Sequence, residues 1–269
     1  MEFGVMQGRL TEKGGFYPQI FPWLEWEDEF YRAKELGITH IEWMLNADRL
    51  PDNPILSSEG RARISELEMQ TGVQVRSLCM NFVMQYSLRK RDTFETVVSC
   101  LRQLSELQHM RAVVIPLEGA SAPEYYPDES LKKDLLKLEE PNGQIRCLIE
   151  SNRSAEDQMN IIGECSETAG ICYDVGNTAG LGRNVLMELN MLLEHIGEIH
   201  LKDKKNEEKM STGGGQGQKS IYLGEGVVDF QGLSRWLKQS GYHVNLVLES
   251  YFDKALADLQ RNLSYLRSL

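Results

Sequence analysis

The sequence predicts an α/β protein, a single-domain (β/α)8 TIM barrel spanning residues 1–269, on three observations. Eight short apolar runs alternate with eight helix-length amphipathic segments. Some runs are dense in β-branched residues, as in Val113-Val114-Ile115, the composition of parallel strands covered on both faces. Four consecutive runs in the second half end on a residue able to bind a cation: Glu150, Asp174, His200 and Glu249. An open doubly wound sheet is the alternative, but it would favour a GxGxxG turn between a strand and a helix. The glycine run at 213–217 lies in a polar loop with no strand turn before it, so it reads as a flexible segment.

Strand 3–6 exits into Gln7-Gly8-Arg9-Leu10, and a helix over 26–36 stops at Gly37, a natural C-cap. In strand 38–45, His40 and Glu42 alternate with Ile41 and Trp43, so the two polar side chains share a face. A proline-containing loop at 50–54 leads to helix 58–70, ended by Gly72; strand 73–80, helix 94–108 and strand 111–117 follow. Loop 118–129 is long enough to wall a pocket, and a short helix through Leu138 and a turn at Pro141-Asn142-Gly143 close the first half. The second half runs strand 145–150, helix 155–165, strand 171–175, helix 184–195, strand 196–201, helix 230–240, strand 244–249 and helix 254–266. Glu150 and Asp174 are 24 residues apart and Asp174 and His200 are 26, each close to one strand, one helix and two loops. The 49 residues from His200 to Glu249 hold the glycine-rich insertion; residues 204–222 are expected to form a lid over the barrel mouth.

With 269 residues and 41% apolar content, one large core can be buried. The net charge of −11 excludes a broad phosphate-gripping surface, so nucleic acid is not an expected partner. The five cysteines show no CxxC spacing and several sit in apolar runs, where a thiol behaves as a small hydrophobe. No stretch approaches the ~18 apolar residues of a membrane span, and no basic segment precedes a long apolar one. A cytoplasmic protein with no membrane partner is expected, and a homo-oligomer is left open.

All strands of a barrel open their C-terminal ends onto one face, so Glu150, Asp174, His200 and Glu249 should converge. A lone carboxylate at a strand end is ordinarily solvated or caps a helix. Recurrence at four successive strand ends points to a ligand set for one divalent metal ion (Mn2+, Co2+, Mg2+ or Zn2+), with coordination positions left for substrate oxygens.

The motifs Leu148-Ile149-Glu150-Ser151-Asn152, Tyr173-Asp174-Val175-Gly176-Asn177, Ile199-His200-Leu201-Lys202-Asp203 and Leu223-Gly224-Glu225-Gly226-Val227-Val228-Asp229-Phe230 carry a resemblance. With the opening 3–10, Ile41-Glu42-Trp43 and Leu248-Glu249-Ser250, the chain resembles the xylose isomerase-like barrel superfamily of sugar isomerases and epimerases. That superfamily also holds inosose dehydratases and the endonuclease IV type of DNA-repair enzyme. The resemblance implies a barrel whose ligands fall on Glu150, Asp174, His200 and Glu249. It implies a keto-sugar or sugar phosphate as substrate, with Glu150 and Glu249 as the acid and base around an enediolate. An inosose-type dehydratase is the alternative within enzymes, and a non-catalytic sugar-binding barrel the alternative outside them. The repair branch carries further metal ligands where this chain has Asn177 and Phe230-Gln231, which argues against a nuclease.

Further substrate-binding candidates are Glu42, on the polar face of the second strand; Glu156, near the position of a substrate-binding glutamate in the resembling epimerases; and Asn177, Lys202 and Arg9. Two bland readings stand beside these. His40 could be a satisfied core histidine, and Lys202 could pair with Asp203 next to it.

Overall fold

A computed structural model describes residues 1–11, 20–125, 128–138, 145–165, 169–205, 221–241, 243–250 and 255–269. The first half contains β1 (Gly4–Met6), α1 (Asp28–Glu35), β2 (His40–Met44), α2 (Ser58–Thr71), β3 (Gln74–Cys79), α3 (Arg91–Leu104), β4 (Ala112–Pro116) and α4 (Asp128–Lys137). The second contains β5 (Arg146–Glu150), α5 (Ala155–Ile162), β6 (Ala169–Asp174), α6 (Val175–Gly180), α7 (Val185–Leu192), β7 (Ile196–Leu201), α8 (Phe230–Ser240), β8 (Asn245–Leu248) and α9 (Ala255–Ser268). The eight strands are parallel and close into a barrel in sequence order, β8 pairing with β1. This is the (β/α)8 TIM barrel expected.

Two apolar clusters divide the core by strand periodicity. Met6, Met44, Cys79, Ala112, Val114, Leu148, Cys172 and Val247 form one of them, and Met44, Leu148, Cys172 and Val247 each stand two residues from Glu42, Glu150, Asp174 and Glu249 respectively. The other side chains of the same strands, such as Val5, Trp43, Val113, Ile149, Tyr173 and Ile199, join the far larger cluster with the helices. All five cysteines are free and buried, as their apolar surroundings predict.

Local chemistry sets the element ends. The side chains of Ser57, Ser154, Asn184 and Asp229 cap α2, α5, α7 and α8 by accepting backbone N–H groups, and Gly72 and Gly241 close α2 and α8 with left-handed φ of 76° and 62°. Gly4 is needed for space. A Cβ there would lie 2.3 Å from the His40 ring on the neighbouring strand.

Three differences from the sequence reading matter. The short helix α6 follows β6 without a loop, because Asp174 caps it: its side chain accepts the N–H of Asn177. Strand β8 ends at Leu248, leaving Glu249 as the first residue beyond it. The expected lid, 204–222, and the 213–217 glycine run fall mostly or wholly outside the described residues, as does the turn at 141–143.

Candidate active site

Parallel pairing brings the four strand-end residues together. Asp174, the last residue of β6, stands in register with His200 of β7, and His200 with Val247 of β8, two residues before Glu249. Glu150 ends β5. One ligand atom from each of Glu150, Asp174, His200 and Glu249 lies within 4.8 Å of the others. His200 Nδ1 is 3.4 Å from Glu150 Oε1 and 3.5 Å from Glu249 Oε2, and it forms a hydrogen bond with neither. Two carboxylates converging on an unbonded, fully buried imidazole nitrogen fit the donor set of a divalent cation. A second observation agrees: the Lys202 ammonium bridges Asp174 Oδ2 and Glu249 Oε2, the latter at 2.7 Å, so these carboxylates already point at one positive charge.

The electrostatics follow from dry surroundings crowded with charge. Burial works against ionisation of Glu249, yet Lys202 and His200 hold its carboxyl well below the usual range. Burial raises Asp174 in spite of the same lysine. His200 would lose its proton through burial alone, but Cys172, Glu42 and Glu150 around it outweigh that and hold the imidazole well above its ordinary value. Glu118, two residues beyond β4, is pushed up to about 7 by burial and by the charge of Glu150. It accepts a hydrogen bond from Asn152 Nδ2 at 3.1 Å.

The remaining predicted residues separate into those the fold brings to the cluster and those it does not. Glu42 does reach it, but from below: it is wholly buried, with Oε2 3.2 Å from His200 Nε2, so the substrate contact expected of it is corrected to a contact with the histidine. Burial pushes Glu42 up to about 8. Arg9 is buried and donates from Nε to the Glu249 carbonyl at 3.0 Å, holding the backbone of that residue. Asn177 stands at the mouth, its N–H donated to Asp174 and its Oδ1 accepting from Lys204 Nζ at 2.6 Å. Lys202 turns to Asp174 and Glu249, not to Asp203. Asp203 instead accepts the N–H groups of Lys204, Gly224, Gly226 and Val228, tying the chain's return to the end of β7. Glu156 is exposed in the first turn of α5, where a carboxylate suits the helix dipole. His40 is a core residue, 1% exposed.

Sequence reasoning passed over Glu198, Glu118 and Lys204. Glu198 precedes His200 by two on β7, is fully buried, and brings Oε1 to 3.5 Å from His200 Nε2. Period-two alternation back from His200 marks it. Glu118 follows strand β4 as Glu249 follows β8, so the rule that found Glu249 reaches it too.

The family model of the xylose isomerase-like TIM barrel matches residues 30–269. L-ribulose-5-phosphate 3-epimerase of Escherichia coli is 25% identical over 263 residues, covering 90% of this chain and 88% of that protein. Among solved structures, 3-keto-D-glucoside 4-epimerase from E. coli superposes with a TM-score of 0.69 at 18% identity over 100% of both chains. A xylose isomerase-like TIM barrel protein from Mycobacterium smegmatis in complex with magnesium gives 0.70 at 16% identity, over 100% of this chain and 96% of that one. These structural likenesses speak to the fold, which they share from end to end. With the family matched over nearly its whole length, the chain belongs to the xylose isomerase-like TIM barrel family.

Proposed function

We propose that this protein is a divalent-metal-dependent epimerase or isomerase of a keto-sugar or keto-sugar phosphate, with Glu150 and Glu249 as its proton-transfer pair. The observation that carries the reading is the placing of these two carboxylates 3.4 and 3.5 Å from one unbonded nitrogen of His200, with Asp174 beside them. The 25% identity to a sugar-phosphate epimerase supports it. Two carboxylates that meet at one imidazole can serve as base and acid for one reacting carbon.

Glu150, Asp174, His200 and Glu249 would hold the ion. When bound, a divalent cation supplies Lewis acidity that lowers the cost of negative charge on the substrate's carbonyl and neighbouring hydroxyl oxygens. The chain's own residues do the rest. One glutamate removes the proton from the carbon beside the carbonyl, and the other returns a proton. Return to the opposite face inverts that carbon; transfer to the adjacent carbon on one face exchanges aldose and ketose. Lys202, beside Glu249, keeps that carboxylate ionised against its burial, as a base requires. Arg9 fixes the backbone of Glu249, so that carboxylate approaches the substrate from a set position.

Elemental analysis of purified wild type and His200→Ala tests the ligand set. One divalent ion per chain is expected in the wild type and its loss in the variant; equal metal content after dialysis overturns it. A panel of ketoses and ketose phosphates in deuterated water then identifies the substrate by incorporation next to the carbonyl.

A further inference from the structure

The imidazole of His200 has two edges with different company. Nδ1 faces Glu150 and Glu249 at the mouth. Nε2 faces inward, 3.2 Å from Glu42 Oε2 and 3.5 Å from Glu198 Oε1. Glu42, Glu198 and His200 are all 0% exposed. Strands β2 and β7 are not neighbours, since β8 and β1 stand between them, so this contact crosses the barrel interior. Two carboxylates set this deep are expensive, and a leucine of similar volume would serve the fold better. Neither oxygen of Glu42 forms a hydrogen bond and neither does His200 Nε2, so the 3.2 Å approach to the imidazole is the contact that accounts for a carboxyl group at this depth. Its backbone, by contrast, is held: its carbonyl accepts the N–H of Gln7 at 2.9 Å, and the Gln7 side chain accepts the N–H of Met44 at 3.1 Å.

We propose that Glu42 is a positioning residue for His200: its carboxylate takes the Nε2–H edge of the imidazole and so reserves Nδ1 as the donor atom toward Glu150, Asp174 and Glu249. An imidazole can present a lone pair on one nitrogen only, and the partner of the other nitrogen selects which. A carboxylate in that place fixes both the tautomer and the ring plane, and raises the basicity of the free nitrogen. Glu198 lies beside the same nitrogen with Oε2 accepting from Asn245 Nδ2 at 3.4 Å, which leaves Oε1 directed at His200 and makes it the secondary support. The inference rests on the metal reading above and extends it to residues of the barrel interior.

Competition of Co2+ between the protein and a chelating dye is the test, with wild type, Glu42→Leu, Glu42→Gln and His200→Ala compared. Glu42→Leu should bind Co2+ at least about tenfold more weakly, and Glu42→Gln, which keeps an acceptor oxygen, should lose less. The metal-free Glu42→Leu protein should melt at or above the wild-type temperature, since it loses a buried carboxyl group whose oxygens have no hydrogen-bond partner; a residue kept only for structure would lower it. Co2+ affinity in Glu42→Leu within twofold of wild type overturns the proposal, provided His200→Ala has lost the ion. If His200→Ala binds as tightly as wild type, the metal reading itself fails. Should Glu42→Leu not fold, histidine-selective 15N spectra of the Zn2+-loaded wild type decide: a proton on Nε2 with Nδ1 bound to the ion is the expected result, and the reverse overturns it.

Discussion

Two buried histidines sit at opposite ends of this barrel and behave in opposite ways. His40 opens β2 at the N-terminal face, and His200 lies at the C-terminal end of β7. Their exposures, 1% and 0%, are the same for any practical purpose. His40 has Thr39 Oγ1 at 3.0 Å from Nδ1 and the backbone of Gly4 against its ring; burial and the nearby Arg76 push it down to about 3. His200 is ringed by Glu42, Glu198, Glu150 and Glu249 and holds its proton firmly. Burial alone therefore does not make a site. What differs is the company: the floor sets its histidine against Thr39, Gly4 and a nearby arginine, while the mouth gathers carboxylates from four strand ends. Barrels segregate stability and chemistry between their two faces in this way.

The largest effect that would break this contrast lies at the mouth. Glu150→Gln and Glu249→Gln each keep a ligating oxygen but no base, so each should retain much of the metal and lose about 10²–10⁴-fold in turnover. His40→Gln should leave turnover close to wild type. Solvent deuterium incorporation into a ketose at the carbon beside the carbonyl measures all three. If either glutamate variant exchanges as fast as wild type, that residue is outside the proton-transfer pair. If His40→Gln is as slow as they are, the division between floor and mouth is wrong.

The contrast also explains what could be read before the fold was known. Glu150, Asp174, His200 and Glu249 were legible because each ends an apolar run, and a run's end has one meaning in a parallel barrel. The polar layer beneath was not. Glu198 looks like a break in an apolar strand until alternation from His200 is applied across it, and Glu42 gives its face but not the strand that face meets. The pairing of Lys202 with Asp203, one of two readings open in the sequence, does not form because adjacent residues leaving a strand point apart, so their partners lie on other segments. Helix α6 escaped because Gly176 and Gly180 are poor helix formers; its start depends on the Asp174 cap, and a Cβ at Gly176 would lie 2.6 Å from Lys202.

A middle-sized effect sharpens the floor's side of the comparison. His40 ionises near 3 in the folded chain against 6.5 for the free side chain. Between these values the unfolded chain binds a proton that the native one refuses, so stability falls as pH drops through this window. The loss from this one residue reaches about 2 kcal/mol at pH 5. Urea unfolding at pH 7 and pH 5 should show that extra loss in wild type and not in His40→Gln, the remaining titrations being common to both. Equal pH dependence in the two proteins would mean that His40 takes up its proton while folded.

An effect of similar size has the opposite sign and belongs to the mouth. Glu118 titrates at about 7 in place of 4.5, chiefly through burial and then through Glu150. Below pH 4.5 its carboxyl is protonated whether the chain is folded or not, so it costs nothing. As pH rises to 7 the unfolded chain releases the proton while the native one keeps it, and native stability declines relative to a chain without this group. Above 7 the loss stops growing. The full difference would be worth about 3 kcal/mol, and partial exposure with its solvent screening brings the expectation to about 2 kcal/mol. Glu118→Gln keeps an oxygen for the Asn152 hydrogen bond and removes the charge. The variant should therefore gain about 2 kcal/mol over wild type between pH 4.5 and pH 8, read from paired urea titrations of the metal-free proteins. A gain would show that the mouth gives up stability to crowd its carboxylates together, where the floor gives up none at neutral pH. No gain, or a loss, would mean that Glu118 is paired with a cation at the mouth strongly enough to offset its burial, and Lys202 would be the first residue to examine.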